Sequence, residues 1–122
     1  MACFSACTQV DVELDEDGYA RACKLEEIPP TGSKRVKLNG KQIALFRYEG
    51  SKLYALANSC SHAGVGIVDS DIEDIDGQLC ITCPGHGYMF DIKTGKCIQD
   101  SKYVQRRYRT KVTEGIIYIL LK

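Results

Sequence analysis

Two short elements hold both histidines of the chain, Cys60-Ser61-His62 and Cys83-Pro84-Gly85-His86. In each, an imidazole follows a thiol by two or three residues, and twenty residues separate the two pairs. Two thiolates and two imidazoles presented from two loops form a metal-binding set. That donor set suits a tetrahedral zinc ion, and it equally suits an iron–sulfur centre in which imidazole replaces part of the thiolate ligation. Spacing alone leaves both open, and Cys80-x-x-Cys83 adds a second zinc-like pair. With both histidines in the ligand set, none remains for a Ser-His-Asp arrangement or other acid–base work, so the residues argue against an enzyme in its own right.

Two loops of this kind need a framework that holds them at one end. From residue 18 the chain is a succession of short strand-like runs broken by turn signals. Tyr19–Leu25 is one run, and Glu26-Glu27-Ile28-Pro29-Pro30 ends it before the turn Thr31-Gly32-Ser33. Arg35–Leu38, Gln42–Tyr48 and Lys52–Ala57 follow, joined by Asn39-Gly40 and Glu49-Gly50-Ser51, which predicts an antiparallel meander. The first ligand loop opens where Lys52–Ala57 ends. The second opens where Leu79–Thr82 ends and is followed by a strand over Tyr88–Ile92 and the turn Lys93-Thr94-Gly95-Lys96. Arg107–Thr113 and Gly115–Leu121 pair across Glu114-Gly115. No window carries a helical period of ten or more residues. These features predict an all-β fold, an antiparallel β-sandwich or open barrel with both metal loops at one end.

Size and composition bound the rest. A chain of 122 residues makes one domain, placed at residues 18–122, with residues 1–17 as a mobile acidic N-terminal segment carrying five acids and no Lys or Arg. Sixteen basic and sixteen acidic residues cancel, so no global positive field favours nucleic acid. No apolar stretch reaches the length of a spanning helix, and the first residues lack the pattern of a secretory signal or an Arg-rich transit peptide. The expectation is a cytoplasmic protein without membrane association, whose thiols stay reduced. Of the seven cysteines, Cys60 and Cys83 go to metal. Cys23, Cys80 and Cys97 lie in or beside alternating apolar stretches and read as small core residues, and Cys3 and Cys7 as incidental thiols of the N-terminal segment.

Beyond its ligands, the second loop continues Gly87-Tyr88-Met89-Phe90-Asp91-Ile92-Lys93-Thr94-Gly95. This resembles the Rieske iron–sulfur signature Cys-x-His … Cys-x-x-His-Gly-x-x-Phe-Asp-x-x-Thr-Gly, and zinc sites have no need of such a tail. The resemblance extends from about Tyr19 to Ile119 and takes in Asn58-Ser59-Cys60-Ser61-His62-Ala63-Gly64. It implies one [2Fe–2S] cluster per chain, with Cys60 and Cys83 on the buried iron and His62 and His86 on the outer iron, where electrons pass. Neutral imidazole has a simple electrostatic effect. Two thiolates bring an oxidised core of about +2 to about zero, four bring it to about −2, and the less negative centre accepts an electron more readily. Two departures stand out. The interval from His62 to Cys83 is longer than usual for the family, the extra length lying in Asp69–Asp76, and the first loop runs on as Val65-Gly66-Ile67.

High-potential members of the family staple the two loops with a disulfide, at positions here occupied by Val65 and Gly85. They also carry Ser and Tyr hydroxyls where this chain has Tyr88 and Phe90. Fewer donors near the sulfurs imply weaker stabilisation of the reduced state. The resemblance therefore points to a free-standing Rieske ferredoxin, a monomeric one-electron carrier. A flavin-containing ferredoxin reductase would be its donor and an oxygenase or other redox protein its acceptor. A redox sensor would use the same ligands, and a structural Cys₂His₂ zinc module is the third class. Charge is segregated along the chain, with Asp69, Asp71, Glu73, Asp74 and Asp76 in one segment and Lys102, Arg106, Arg107, Arg109 and Lys111 in another. The acidic segment is a candidate docking surface for a basic patch on a redox partner.

Overall fold

Alternating apolar and polar residues broken by turn pairs build a framework of antiparallel strands. The computed structural model describes residues 14–50, 52–59, 66–68, 70–84 and 87–121. Strands β1 (Tyr19–Lys24), β9 (Thr110–Thr113) and β10 (Ile116–Leu120) form one sheet in the order β1-β10-β9. A second sheet has the order β2-β3-β4-β8, from Gly32–Leu38, Lys41–Tyr48, Lys52–Ala57 and Arg107–Tyr108. The third is β5-β6-β7, from Ile72–Ile75, Gln78–Thr82 and Met89–Asp91. A single 3₁₀ turn at Leu25–Glu27 is the only helical element among the described residues. Asn39-Gly40, Asp76-Gly77 and Glu114-Gly115 each close a two-residue hairpin with both residues at positive φ, the turn form that matches strand twist.

Strand β3 explains how three small sheets share one body. Successive side chains of a strand point to opposite faces. Ile43 and Leu45 enter a core formed with Ala20, Val36, Leu38, Ile117 and Ile119, between the first two sheets. Ala44 and Phe46 enter a second core with Leu56, Leu79, Ile81, Phe90 and Ile92, against the third sheet. All four β3 residues are fully buried, so this strand is apolar on both faces, and its neighbour β4 likewise gives Ala55 to the first core and Leu56 to the second. Burying each of its larger side chains stabilises the fold by about 1.5–3 kcal/mol. The second core lies beneath the ligand loops and contains Cys83.

Two elements differ from the sequence expectation. The run Arg107–Thr113 is two strands, because the chain changes sheets at Arg109: β8 pairs with β4, and β9 pairs with β10. The Arg109 carbonyl accepts the Leu120 N–H at 2.8 Å. An extended run keeps its side-chain alternation through such a switch, so the change of partner leaves no mark in the sequence. The acidic stretch contains strand β5, which pairs with β6 from Ile72↔Ile81 to Ile75↔Gln78. Its charged residues mask the pattern, since Glu73 and Asp74 lie on an exposed edge strand, a common guard against sheet-to-sheet association. Residues 14–17 are tied to the body: Leu14 bridges to Ala20, and Asp15 forms an ion pair with Lys111 at 3.0 Å. Cys3 and Cys7 lie outside the described residues. Among the described residues no helix is long and apolar enough to cross a membrane.

Candidate metal centre

Cys83 follows directly on β6 and is fully buried, in the same core as Leu79, Ile81 and Phe90. Its N–H donates to the Tyr88 carbonyl at 2.7 Å, and its own carbonyl accepts the Gly87 N–H at 2.9 Å. These two bonds close the second loop on itself. Gly87 has φ 72°, and a Cβ built there meets nothing within 4 Å among the described atoms. The backbone conformation by itself therefore calls for glycine. Gln99 pins the loop's far side: its Oε1 accepts the Met89 N–H at 2.9 Å, and its Nε2 donates to the Gly87 carbonyl at 3.3 Å.

The rest of the signature is a built turn. Asp91 Oδ1 accepts the N–H groups of Lys93 and Thr94 at 2.7 and 3.1 Å, and the Asp91 carbonyl accepts the Gly95 N–H at 2.7 Å. Gln78 Nε2 donates to the other carboxylate oxygen at 2.9 Å. Burial pushes the Asp91 pKa up, but these amide donors outweigh it and hold the carboxyl below its usual range. Phe90 anchors the strand in the core at the same point.

The first loop is closed at its base by a buried amide. Asn58, 6% exposed, donates its N–H to the Gln42 carbonyl at 2.9 Å and accepts the Ile67 N–H on its carbonyl at 2.8 Å. Its side-chain Oδ1 accepts the Ile67 and Val68 N–H groups at 3.2 and 3.0 Å. Ser59 and Gly66 form a bridge that pairs the two stems of the loop. The two loops meet below: Ser70 Oγ donates to the Thr82 carbonyl at 2.6 Å, and Ile67 shares the core with Cys83.

Cys83 is thus the one expected ligand whose setting is described; Cys60, His62 and His86 lie outside the described residues, as do Val65, Asp69 and Gly85. A thiol wholly buried under two tied loops fits the inner, thiolate side of a two-iron cluster. The second zinc-like pair does not fit. On β6 the side chain of Cys80 opposes Glu73 on one neighbour and Asp91 on the other, whereas Cys83 shares its core with Leu79 and Ile81. An interval of three residues along an extended strand puts the two thiols on opposite faces. Burial first, then the charges of Asp91 and Glu73, push the Cys80 thiol up, so it stays protonated. Cys23, Cys80 and Cys97 are buried free thiols, as expected of core residues. Among the described residues no group of three His, Cys, Asp or Glu side chains offers another metal site. Sequence reasoning missed three side-chain amides that fix the loop stems: the buried Asn58, the exposed Gln99, and the buried Gln105, whose Nε2 donates to the Ser59 carbonyl; an amide that bonds distant backbone has no signature in a single sequence.

Comparison with known proteins agrees with this geometry. The family described as Rieske-like [2Fe-2S] domain matches residues 18–120. The ferredoxin subunit of 3-phenylpropionate/cinnamic acid dioxygenase from Photorhabdus laumondii is 33% identical over 99 residues, 80% of this chain and 89% of that one. The solved ferredoxin of carbazole 1,9a-dioxygenase from Nocardioides aromaticivorans superposes with a TM-score of 0.75 at 25% identity, covering 85% of this chain and 98% of its own. The small subunit of nitrite reductase [NAD(P)H] from Erwinia carotovora gives 0.74 at 25% identity, covering 86% and 82%.

Proposed function

This chain belongs to the Rieske-like [2Fe-2S] domain family, and from that premise we propose that it is a one-electron carrier of the ferredoxin type, with Cys60, His62, Cys83 and His86 as the cluster ligands. The cluster, when bound, would supply a one-electron couple. Everything else falls to the protein. Cys83 presents its sulfur from a dry core, where exchange of the ligand for water is disfavoured. The Asn58 and Gln99 amides hold the two loop stems, so that little rearrangement accompanies a change of charge.

The observation that carries this reading is the burial of Cys83 at the head of a loop whose backbone closes on that same residue. The likeness to the dioxygenase ferredoxins supports an oxygenase as acceptor; a flavin-containing reductase as donor and a monomer as the working form complete the proposal. Protein purified without oxygen tests it. Two iron and two sulfide per chain and a rhombic signal in the reduced protein are expected for this cluster type, with reduction by a flavin reductase and reoxidation by an oxygenase component. A colourless protein holding one zinc would sink the proposal. Cluster incorporation without electron delivery to any oxygenase, but with delivery to a nitrite reductase, would keep the carrier and change its acceptor.

A further inference from the structure

Gln105 is a buried amide that no part of the family signature requires. It is 1% exposed and lies on the segment that leads into β8. Its side-chain Nε2 donates to the Ser59 carbonyl at 2.6 Å and also to the Ala57 carbonyl. Those two carbonyls belong to the outgoing limb of the first ligand loop, directly before Cys60. On the other side its backbone N–H donates to the Gly95 carbonyl at 2.6 Å, in the turn that follows the second loop. One residue therefore joins the stem of the first loop to the turn behind the second.

The two buried amides at this end are complementary. Asn58 uses its oxygen to accept from the returning limb, at Ile67 and Val68. Gln105 uses its NH₂ to donate to the outgoing limb. The backbone adds one link on the same side, from the Ala57 N–H to the Arg106 carbonyl at 2.8 Å. The outgoing stem thus carries a donor clip and the returning stem an acceptor clip. Buried carbonyls that lose their donor bear the full desolvation penalty, so the Gln105 clip is not neutral to remove.

We propose that Gln105 is a positioning residue for the cluster, acting through the backbone of the first ligand loop to hold Cys60 and His62 in place. The inference rests on the cluster-carrier reading above. Its effect is on the firmness with which the loop grips the cluster, beyond any effect on the stability of the fold.

The test compares loaded Gln105→Met, which keeps length and volume but has no donor, with Ile117→Ala in the remote first core. Gln105→Leu serves as a second donor-free variant. Cluster loss to an iron chelator is timed at temperatures set equally far below each protein's own melting point. The Met and Leu variants are expected to lose the cluster about tenfold faster than Ile117→Ala, within the usual range for residues that support a ligand. Their low-temperature resonance lines should broaden, and deuterium exchange should rise in the peptide covering residues 57–68. Loss rates within about twofold of the control, with unchanged lines and exchange, would overturn the role. So would failure of both Gln105 variants to fold while Ile117→Ala folds, since that assigns the residue to the fold. A wild-type protein that takes up no cluster removes the carrier reading itself, and this inference with it; that outcome is distinct from a loaded wild type with indifferent variants.

Discussion

Gly95 lies directly against Gln105: a Cβ on Gly95 would stand 2.1 Å from the Gln105 carbonyl oxygen. Gly95 also has φ 81°, which disfavours any L side chain. Gly95→Ala is therefore expected to destabilise the protein by about 2–4 kcal/mol, from backbone strain plus forced displacement of the segment before β8. Gly87→Ala, at φ 72° but with no described atom within 4 Å of the new Cβ, should cost the strain, about 1–2 kcal/mol. Denaturant unfolding of the two variants checks the order.

The opposite faces of Cys80 and Cys83 predict opposite outcomes of the same substitution. Cys83→Ser, like Cys60→Ser, His62→Ala or His86→Ala, should abolish or severely deplete the cluster. Cys80→Ser should leave iron and sulfide content near normal. A protein that needs Cys80 for metal but tolerates His62→Ala would show the ligand set to be wrong.

The residues around the loops predict the reduction potential. With no Cys at positions 65 and 85 and no hydroxyl at Phe90, the midpoint should fall in the lower half of the Rieske range, which runs from roughly −150 to +300 mV. Phe90→Tyr should move it upward if the hydroxyl bonds a ligand sulfur. Because Phe90 is fully buried in an apolar core, the same change should also lower stability. Voltammetry near neutral pH, paired with a melting curve, reads both effects.

Asp91 predicts an acid-sensitive turn. Its carboxyl titrates lower in the folded protein than in the unfolded chain, so the unfolded state binds the proton more readily. The stabilisation is complete above the ordinary carboxylate value and is lost as pH falls through the lower, folded value. Asp91→Asn keeps an acceptor for the Lys93 and Thr94 N–H groups but removes this titration. Its stability should fall less than the wild type's between pH about 5 and about 3, as measured by urea midpoints at each pH.

The acidic edge strand predicts a salt effect on partner exchange. Asp71, Glu73 and Asp74 are exposed, on or beside β5, and β6 next to it leads to Cys83. Replacing them with Asn, Gln and Asn should lower the rate of reduction by a flavin reductase and flatten its dependence on salt, since surface charges are screened over about 8–10 Å near physiological ionic strength. Cluster content should not change. Transfer kinetics in the triple variant that match the wild type's at both low and high salt would make β5 a solvated edge with no docking role.

The local information in this chain goes a long way. Asn39-Gly40 specifies its hairpin because few residues accept positive φ, and the meander from β2 to β4 follows from alternation and turn chemistry alone. The Cys-His pairs and the tail from Gly87 to Gly95 identify the family because their spacing is itself the chemistry. Other features depend on partners distant along the chain. Nothing near Arg109 marks the step from the second sheet to the first, and the charges of β5 hide its pairing with β6. Cys80 and Cys83 look equivalent until a strand assigns them to opposite faces. Asn58 and Gln105 read as ordinary polar residues, and only the packing of residue 105 against Ala57 and Ser59, nearly fifty positions away, turns an amide into a clip. A sequence carries its donors and its turns; which carbonyl a buried donor meets is decided by the tertiary structure, because burial removes the water that would otherwise satisfy either partner.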